Sequence, residues 1–107
     1  MKGFGGGLQQ MMKQANQMQN RIKKLQEELA RKEFEGTAGG GAVIAKVSGD
    51  QKLMSVTIQP DVISADDVEM LQDLIVASVN DALKVAKDTS QAEMSKITGG
   101  MNFPGLL

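Results

Sequence analysis

The chain has 107 residues, with 12 basic and 13 acidic side chains and neither cysteine nor histidine. A chain of this length forms one small domain with a thin core. The missing residue types exclude disulfides, thiolate chemistry and the side chain that most often serves as a general base or a transition-metal ligand. Because no apolar stretch has the length of a membrane span and the start is not a signal peptide, we expect a cytoplasmic protein.

Charge is unevenly distributed along a chain that is nearly neutral as a whole. Residues 1–32 contain seven cations and only two carboxylates. Residues 60–83 contain six carboxylates and no cation. This pattern predicts a basic first element and an acidic later element.

The first element is predicted to be a long amphipathic helix from Leu8 to Glu33. Its apolar residues recur every three or four positions, and neither glycine nor proline interrupts them. At about 1.5 Å per residue, this helix would span roughly 39 Å. The seam of apolar residues comprises Leu8, Met11, Ala15, Met18, Ile22, Leu25 and Leu29.

Three short strands are predicted to follow the first helix. The apolar period changes to two, with glycine-rich punctuation, which is typical of an antiparallel meander. We place the strands at 33–38, 42–48 and 52–59, with turns at 39–41 and 48–51. Glycine at 39–41 permits the positive φ that a tight turn requires. Pro60 cannot donate to a strand ladder and ends the third strand.

A second helix is predicted to begin after Ser64 and to stop at Gly99 and Gly100. Ser64 followed by Asp67 resembles a capping box, and the early carboxylates suit the positive end of the helix dipole. This helix would span roughly 51 Å, whereas a seven-residue strand spans roughly 23 Å. We therefore expect the free helix ends, near Leu8 and Ile97, to overhang the sheet side by side. A symmetric homodimer would bury the surface that a monomer leaves exposed.

The predicted fold class is α+β, in the order α-β-β-β-α. We expect a flexible glycine-rich N-terminus at 1–7, a single domain at 8–98 and a flexible C-terminal tail at 99–107. The methionines are interpreted as side chains that fill gaps in the core, which Met does readily. They are Met11, Met12, Met18, Met70 and Met94.

The face of the first helix opposite the seam carries cations interleaved with amides. A solvated face that keeps a long helix soluble would explain the cations, whereas cations and amides together are suited to DNA phosphates and groove edges. The candidate DNA-binding residues on the first helix are Lys13, Gln17, Asn20, Arg21, Lys23, Lys24, Arg31 and Lys32. A weaker patch on the second helix comprises Lys84, Lys87 and Lys96.

Short segments distributed along the chain resemble one protein family in their order and spacing. They are the glycine-rich start and residues 11–19, 25–29, 35–41, 71–75, 80–82, 99–101 and 103–105. The chain thereby resembles the YbaB/EbfC family of small bacterial nucleoid-associated DNA-binding proteins. The resemblance implies a tweezer-shaped α-β-β-β-α homodimer whose helical arms reach toward duplex DNA in the nucleoid. It does not fix a sequence preference.

We therefore expect a non-enzymatic dimer that binds duplex DNA, mainly through phosphates and with weak sequence preference. No cofactor, metal, membrane or small-molecule substrate is expected. The alternative is a chaperone-like or adaptor dimer whose arms clasp a protein partner. An enzyme would need a nucleophile and a base, and the sequence offers no such pair. Salt-titrated DNA binding separates the first two hypotheses, since apolar clasping responds little to salt.

Overall fold

The structure is a computed structural model that describes residues 2–99, with side chains described from Gly7 onward. The chain folds as α1 (Lys2–Arg31), β1 (Glu33–Ala38), β2 (Val43–Ser48), β3 (Leu53–Ile58), a short 3-10 turn (Pro60–Val62) and α2 (Val68–Thr98). This order confirms the predicted α-β-β-β-α fold. Apart from Gly99, the predicted C-terminal tail lies outside the described residues.

No helix in the described part of the chain has both the length and the apolar character needed to cross a membrane.

The start of α1 differs from the prediction. The helix begins at Lys2 and not at Leu8. Each glycine disfavours a helix by about 1 kcal/mol but, unlike proline, leaves every backbone hydrogen bond possible. The glycine-rich start therefore continues the helix in place of ending it. Flexibility of residues 1–7 stays a prediction.

The three strands form one antiparallel sheet in the order β1-β2-β3. β2 lies in the centre, and its Val43, Ala45 and Val47 are completely buried. The strand positions agree with the prediction, although Ala42, Lys52 and Gln59 lie just outside the observed strands. All three glycines of the β1–β2 turn have positive φ, as predicted.

Helix α2 covers only part of the sheet. It packs on β1 and β2, and β3 receives little cover from it. The closest approach is at Gly36 of β1, where a Cβ would collide with the backbone nitrogen of Ala82 and the carbonyl oxygen of Ser78. A glycine is therefore required where β1 passes beneath α2.

The N-terminus of α2 lies one turn later than predicted. Its N-cap is Asp67, whose carboxylate accepts a hydrogen bond from the backbone N–H of Met70 at 3.1 Å. Ser64 Oγ instead accepts from the N–H of Asp66 at 3.2 Å and stabilises the preceding turn. Both residues are good N-caps, and Asp67 is the one adjacent to the first helical residue. At the other end, the left-handed Gly99 caps α2 as predicted.

The two helices do not overhang the sheet by equal amounts. Ile97, near the end of α2, shares a cleft with Met18 and Arg21 of α1. Leu8 lies ten residues before Met18, or about 15 Å further along the axis. The predicted pairing of Leu8 with Ile97 is therefore wrong, because α1 projects beyond α2. The result is an elongated molecule of 80 × 20 × 18 Å.

The apolar seam of α1 is buried where α2 lies beside it and is exposed beyond the end of α2. Ile22 and Leu29 are only 7% exposed, whereas Leu8 and Met11 are 61% and 68% exposed.

The predicted core role of the methionines is correct for Met94, which is buried, and wrong for the other four, which are exposed. We define the α1 arm as residues 7–21, all of which are exposed.

Candidate nucleic-acid interface

The cations of α1 form a continuous exposed face. Lys13, Lys24 and Arg31 are separated by eleven and seven residues. At 100° per residue, this spacing places all three opposite the buried Ile22 and Leu29. Along the helix axis they are about 17 Å and about 11 Å apart. We call this surface the basic face; its members are Lys13, Gln17, Asn20, Lys24 and Arg31, all exposed.

Three further cations border the basic face. Arg21 and Lys32 lie on one flank, and Lys23 lies on the other. Arg21 lines the cleft next to Ile97, so its side chain is close to the end of α2. The Lys32 ammonium lies 5.8 Å from the centre of the Phe34 ring, and this cation–π contact holds it near the base of α1.

The ion pairs within residues 7–99 do not involve the basic face. They join Glu35 to Lys46 and Asp50 to Lys52 on the sheet, and Lys84 to Asp88 and Glu93 to Lys96 on α2. None of these pairs involves a cation of α1. Glu27 and Glu28 are the only carboxylates in the sequence of α1; they border the basic face between Lys24 and Arg31, and neither forms an ion pair within the described residues. The α1 cations therefore remain accessible to an external anion.

The three α2 lysines do not form one patch. Lys84 pairs with Asp88 at 3.8 Å and Lys96 pairs with Glu93 at 3.1 Å, so each has a local counter-charge. Lys87 lines a cleft of about 470 Å³ between α1 and α2. Helical spacing places Lys96 on the side of α2 opposite Lys87. Lys84 and Lys87 are three residues apart and are neighbours on α2, so Lys96 alone is separated from the predicted patch; Lys87 is nearest to α1.

The acidic residues of α2 have structural roles that the sequence only partly indicated. Asp67 caps the helix, as described above. Asp81 Oδ2 accepts a hydrogen bond from the backbone N–H of Thr37 at 3.0 Å, on the outer edge of β1. This contact occupies a donor that would otherwise be open to strand addition. Within the described residues, no group of three or more acidic side chains could hold a metal ion.

A cationic helix that forms no ion pair within the described residues and projects from an α+β platform defines a protein suited to binding polyanions. Comparison with known proteins agrees with this class. The YbaB/EbfC DNA-binding family matches residues 4–101. The chain therefore belongs to the YbaB/EbfC DNA-binding family.

Two curated relatives match almost the whole chain. A protein of Clostridium novyi is 52% identical over 106 residues, covering 97% of this chain and 93% of the relative. A protein of Thermoanaerobacter pseudethanolicus is 55% identical over 106 residues, covering 97% and 96% respectively. Both are named nucleoid-associated proteins.

A crystal structure shares the fold. The uncharacterised protein HP0035 of Helicobacter pylori superposes with a TM-score of 0.68, covering 84% of this chain and 95% of that one. Its sequence is only 20% identical, so the likeness concerns the fold alone.

Proposed function

We propose that this chain is a nucleoid-associated protein of the bacterial cytoplasm that binds duplex DNA as a homodimer, without catalysis. The basic face and its flanking cations contact phosphates, and sequence preference is weak. The observation that carries this proposal is the exposed face of α1 cations, none of which pairs with a carboxylate within the described residues. Membership of a DNA-binding family and the names of the relatives support it.

Charge segregation supports an oriented mode of binding. The carboxylates between Asp61 and Asp81 belong to the first half of α2 and the preceding turn. The basic face lies on α1 and extends away from that region. A polyanion is therefore attracted to α1 and repelled by the start of α2, even though the net charge of the chain is −1.

An apolar surface beside β3 supports the homodimer. Val56 and Ile58 pair with the buried Ala45 and Val43, so they share the helix-facing side of the sheet, yet they are only half-buried. Val76 is 58% exposed and lies about 140° around α2 from Asp81, the residue that contacts β1.

Val76 therefore lies on the flank of α2 away from the β1 contact. Leu53 and Met54, each 53% exposed, extend the same surface along β3. We propose that a second copy covers it, since exposed apolar surface of this kind marks association sites. A dimer also presents two basic arms to one duplex, which raises the apparent affinity by effective concentration.

The test is binding of a random-sequence duplex to the full chain across a salt series, measured by fluorescence anisotropy. Counterion release predicts that log K falls linearly with log salt, with a slope of about −0.9 for each phosphate contacted. We expect a slope that corresponds to several contacts per dimer. No binding at low salt, or binding that does not change with salt, would refute the proposal.

One observation favours the alternative of a clasp on a protein partner. Leu8 and Met11 continue the α1 seam beyond the end of α2, and Met18 lies beside that end; all three are exposed. A partner helix could cover them. Association of this kind would persist at high salt, where DNA binding through phosphates is lost.

A further inference from the structure

We propose that one side of the α1 arm recognises adenine·thymine base pairs in the major groove of the bound duplex. This inference rests on the proposed function and deepens it. The surface concerned, which we call the amide strip, comprises Gln9, Met12, Asn16 and Asn20.

The amide strip is continuous by helical geometry. Its members follow one another at intervals of three, four and four residues, so they share one face of α1. Lys13 borders this face, and Lys23 continues it one turn beyond Asn20. The strip is about 17 Å long, or about five base pairs of B-DNA at 3.4 Å per step. All four side chains are exposed, and Met12 is 58% exposed.

The width of the molecule determines which part of it can enter a groove. The major groove is about 12 Å wide, and one helix with its side chains is about 10–12 Å in diameter. The body of the protein is 20 × 18 Å in cross-section and is therefore too wide. On the N-terminal side of the cleft that Ile97 lines, no other described element lies beside the arm. The cleft that Ile97 lines is formed by Gln14, Gln17, Met18 and Arg21, away from the amide strip.

Asparagine in the amide strip lowers the intrinsic helix propensity of α1, and solubility alone does not require it. Asn disfavours a helix by up to about 0.7 kcal/mol relative to Ala, whereas Lys or Glu would solubilise the same positions at lower cost. Asn16 and Asn20 are four residues apart, and neither side chain forms a hydrogen bond within the described residues. Their donors and acceptors are therefore open to water and available to an external partner.

The chemistry of the strip selects the ligand. Residues 1–26 contain no carboxylate, so the arm attracts a polyanion along its whole length. Asn and Gln amides donate to adenine N7 and accept from the adenine N6 amino group in the major groove. Met12 supplies an apolar contact for the thymine methyl group on the same base pair. Lys13, beside the strip, and Lys23, at its C-terminal end, are placed to contact phosphates.

The test compares two duplexes that differ only in adenine N7. One is an alternating A·T duplex, and the other contains 7-deazaadenine, which lacks the N7 acceptor and retains the same phosphates. We expect the wild-type chain to bind the first at least about fivefold more tightly, given the usual value of one bidentate amide–adenine pair.

A duplex with deoxyuridine in place of thymine removes only the methyl group. We expect this duplex to bind slightly less tightly than the thymine duplex, and we expect that difference to disappear in Met12→Ala.

Paired variants assign the preference to the strip. Gln9→Ala with Asn16→Ala should abolish the discrimination and leave the salt slope unchanged, because both residues lie on the amide strip and outside the basic face, and neither carries a charge. The matched control, Gln10→Ala with Gln14→Ala, removes two amides from another face of the same arm and should keep the wild-type ratio. Alanine favours a helix, so both variants are expected to fold, and circular dichroism checks this.

Each outcome decides between the proposals. Equal affinity for the adenine and 7-deazaadenine duplexes, with salt-dependent binding retained, would overturn the amide strip and leave the proposed function standing. Equal loss of discrimination in the two paired variants would also overturn it. Failure to bind any duplex at low salt would refute the proposed function and this inference together.

Discussion

The two helices of this protein have nearly the same length, 30 residues in α1 and 31 in α2, and opposite relations to the sheet. In α2 the buried residues extend from Ser78 to Thr98. In the described side chains of α1, only Ile22 and Leu29 are buried. Helix α2 therefore builds the platform, and α1 is fixed at its C-terminal third and projects from it.

This difference separates stability from binding. Substitutions where α2 meets the sheet should change the free energy of unfolding, because packed backbone and apolar side chains lie there. Substitutions on the exposed side of α1 should change affinity for DNA and leave stability nearly unchanged. The predictions below test that separation.

The largest expected effect is at Gly36. A Cβ in Gly36→Ala would collide with backbone atoms of Ala82 and Ser78, which no side-chain rotation can relieve. We expect the free energy of unfolding to fall by at least about 3 kcal/mol in urea denaturation.

The control is Gly40→Ala, where φ is +67° and nothing lies within 4 Å of the added Cβ. There only backbone strain of about 1–2 kcal/mol applies. Equal midpoints for the two variants would contradict the close packing of β1 on α2.

The next effect concerns the basic face. Lys24→Glu with Arg31→Glu should weaken duplex binding at least about tenfold at moderate salt and reduce the salt slope by about 2, since two phosphate contacts are lost. Helicity by circular dichroism should not change, because both side chains are exposed.

The single reversals Lys24→Glu and Lys52→Glu are a matched pair for this surface. Lys52 lies just before β3, away from α1, and pairs only weakly with Asp50 at 3.7 Å. Equal losses of affinity would indicate that net charge, and not the basic face, governs binding.

The third prediction concerns assembly. Val76→Asp places a charge on the proposed dimer surface, at a position that is exposed in the single chain. The mass by light scattering at micromolar concentration should fall from a dimer to a monomer, with the fold retained. The neighbouring variant Ala77→Asp, also exposed but on another side of α2, should remain dimeric. A monomeric wild-type chain under the same conditions would refute the homodimer.

The fourth prediction is a modest loss of stability at the edge of β1. Asp81→Ala removes the acceptor for the Thr37 N–H and should lower the free energy of unfolding by about 1 kcal/mol. Asp81→Asn keeps an acceptor oxygen and should recover most of the loss. Hydrogen exchange at the Thr37 amide should accelerate in the first variant only. Unchanged exchange in Asp81→Ala would show that this hydrogen bond does not protect the strand.

The smallest effect is the pH response of the β2–β3 turn. The Ser48 hydroxyl donates to the Asp50 carboxylate and, with Lys52 nearby, holds the pKa of Asp50 below its ordinary value of 3.8. A lowered pKa means that the stabilisation is present above the ordinary value and is lost as pH falls through the lowered one. In an NMR titration, Ser48→Ala should raise the Asp50 midpoint, and the exposed Ser55→Ala should not. An unchanged midpoint in Ser48→Ala would exclude the hydroxyl as the cause.

The sequence predicted the order of elements and the strand positions because the apolar period changes from about 3.6 to 2 at Phe34 and because glycine marks the turns. It failed where tertiary contacts decide. Ser64 and Asp67 are both good N-caps, and only the structure distinguishes them. The exposure of Met11 depends on where α2 ends relative to α1, which periodicity does not encode.

Two structural roles needed the register of the sheet against α2. Gly36 is required because β1 passes directly beneath Ala82, and Asp81 bonds to Thr37 because that N–H points outward from the edge strand. For the candidate interface, helical spacing predicted that Lys13, Lys24 and Arg31 share a face. The same spacing separates Lys96 from Lys84 and Lys87, whereas the local carboxylate partners of Lys84 and Lys96 become evident only in the structure.

The most direct test of the central claim is a map of backbone amide chemical-shift changes when a short duplex is added to the isotopically labelled chain. The proposed division between the helices predicts that the largest changes cluster on α1 around Lys13, Asn20 and Lys24. The first half of α2, where the carboxylates lie, should show little change. Changes concentrated on α2 or on the outer face of the sheet, with α1 unaffected, would contradict the assignment of α1 as the DNA-binding element.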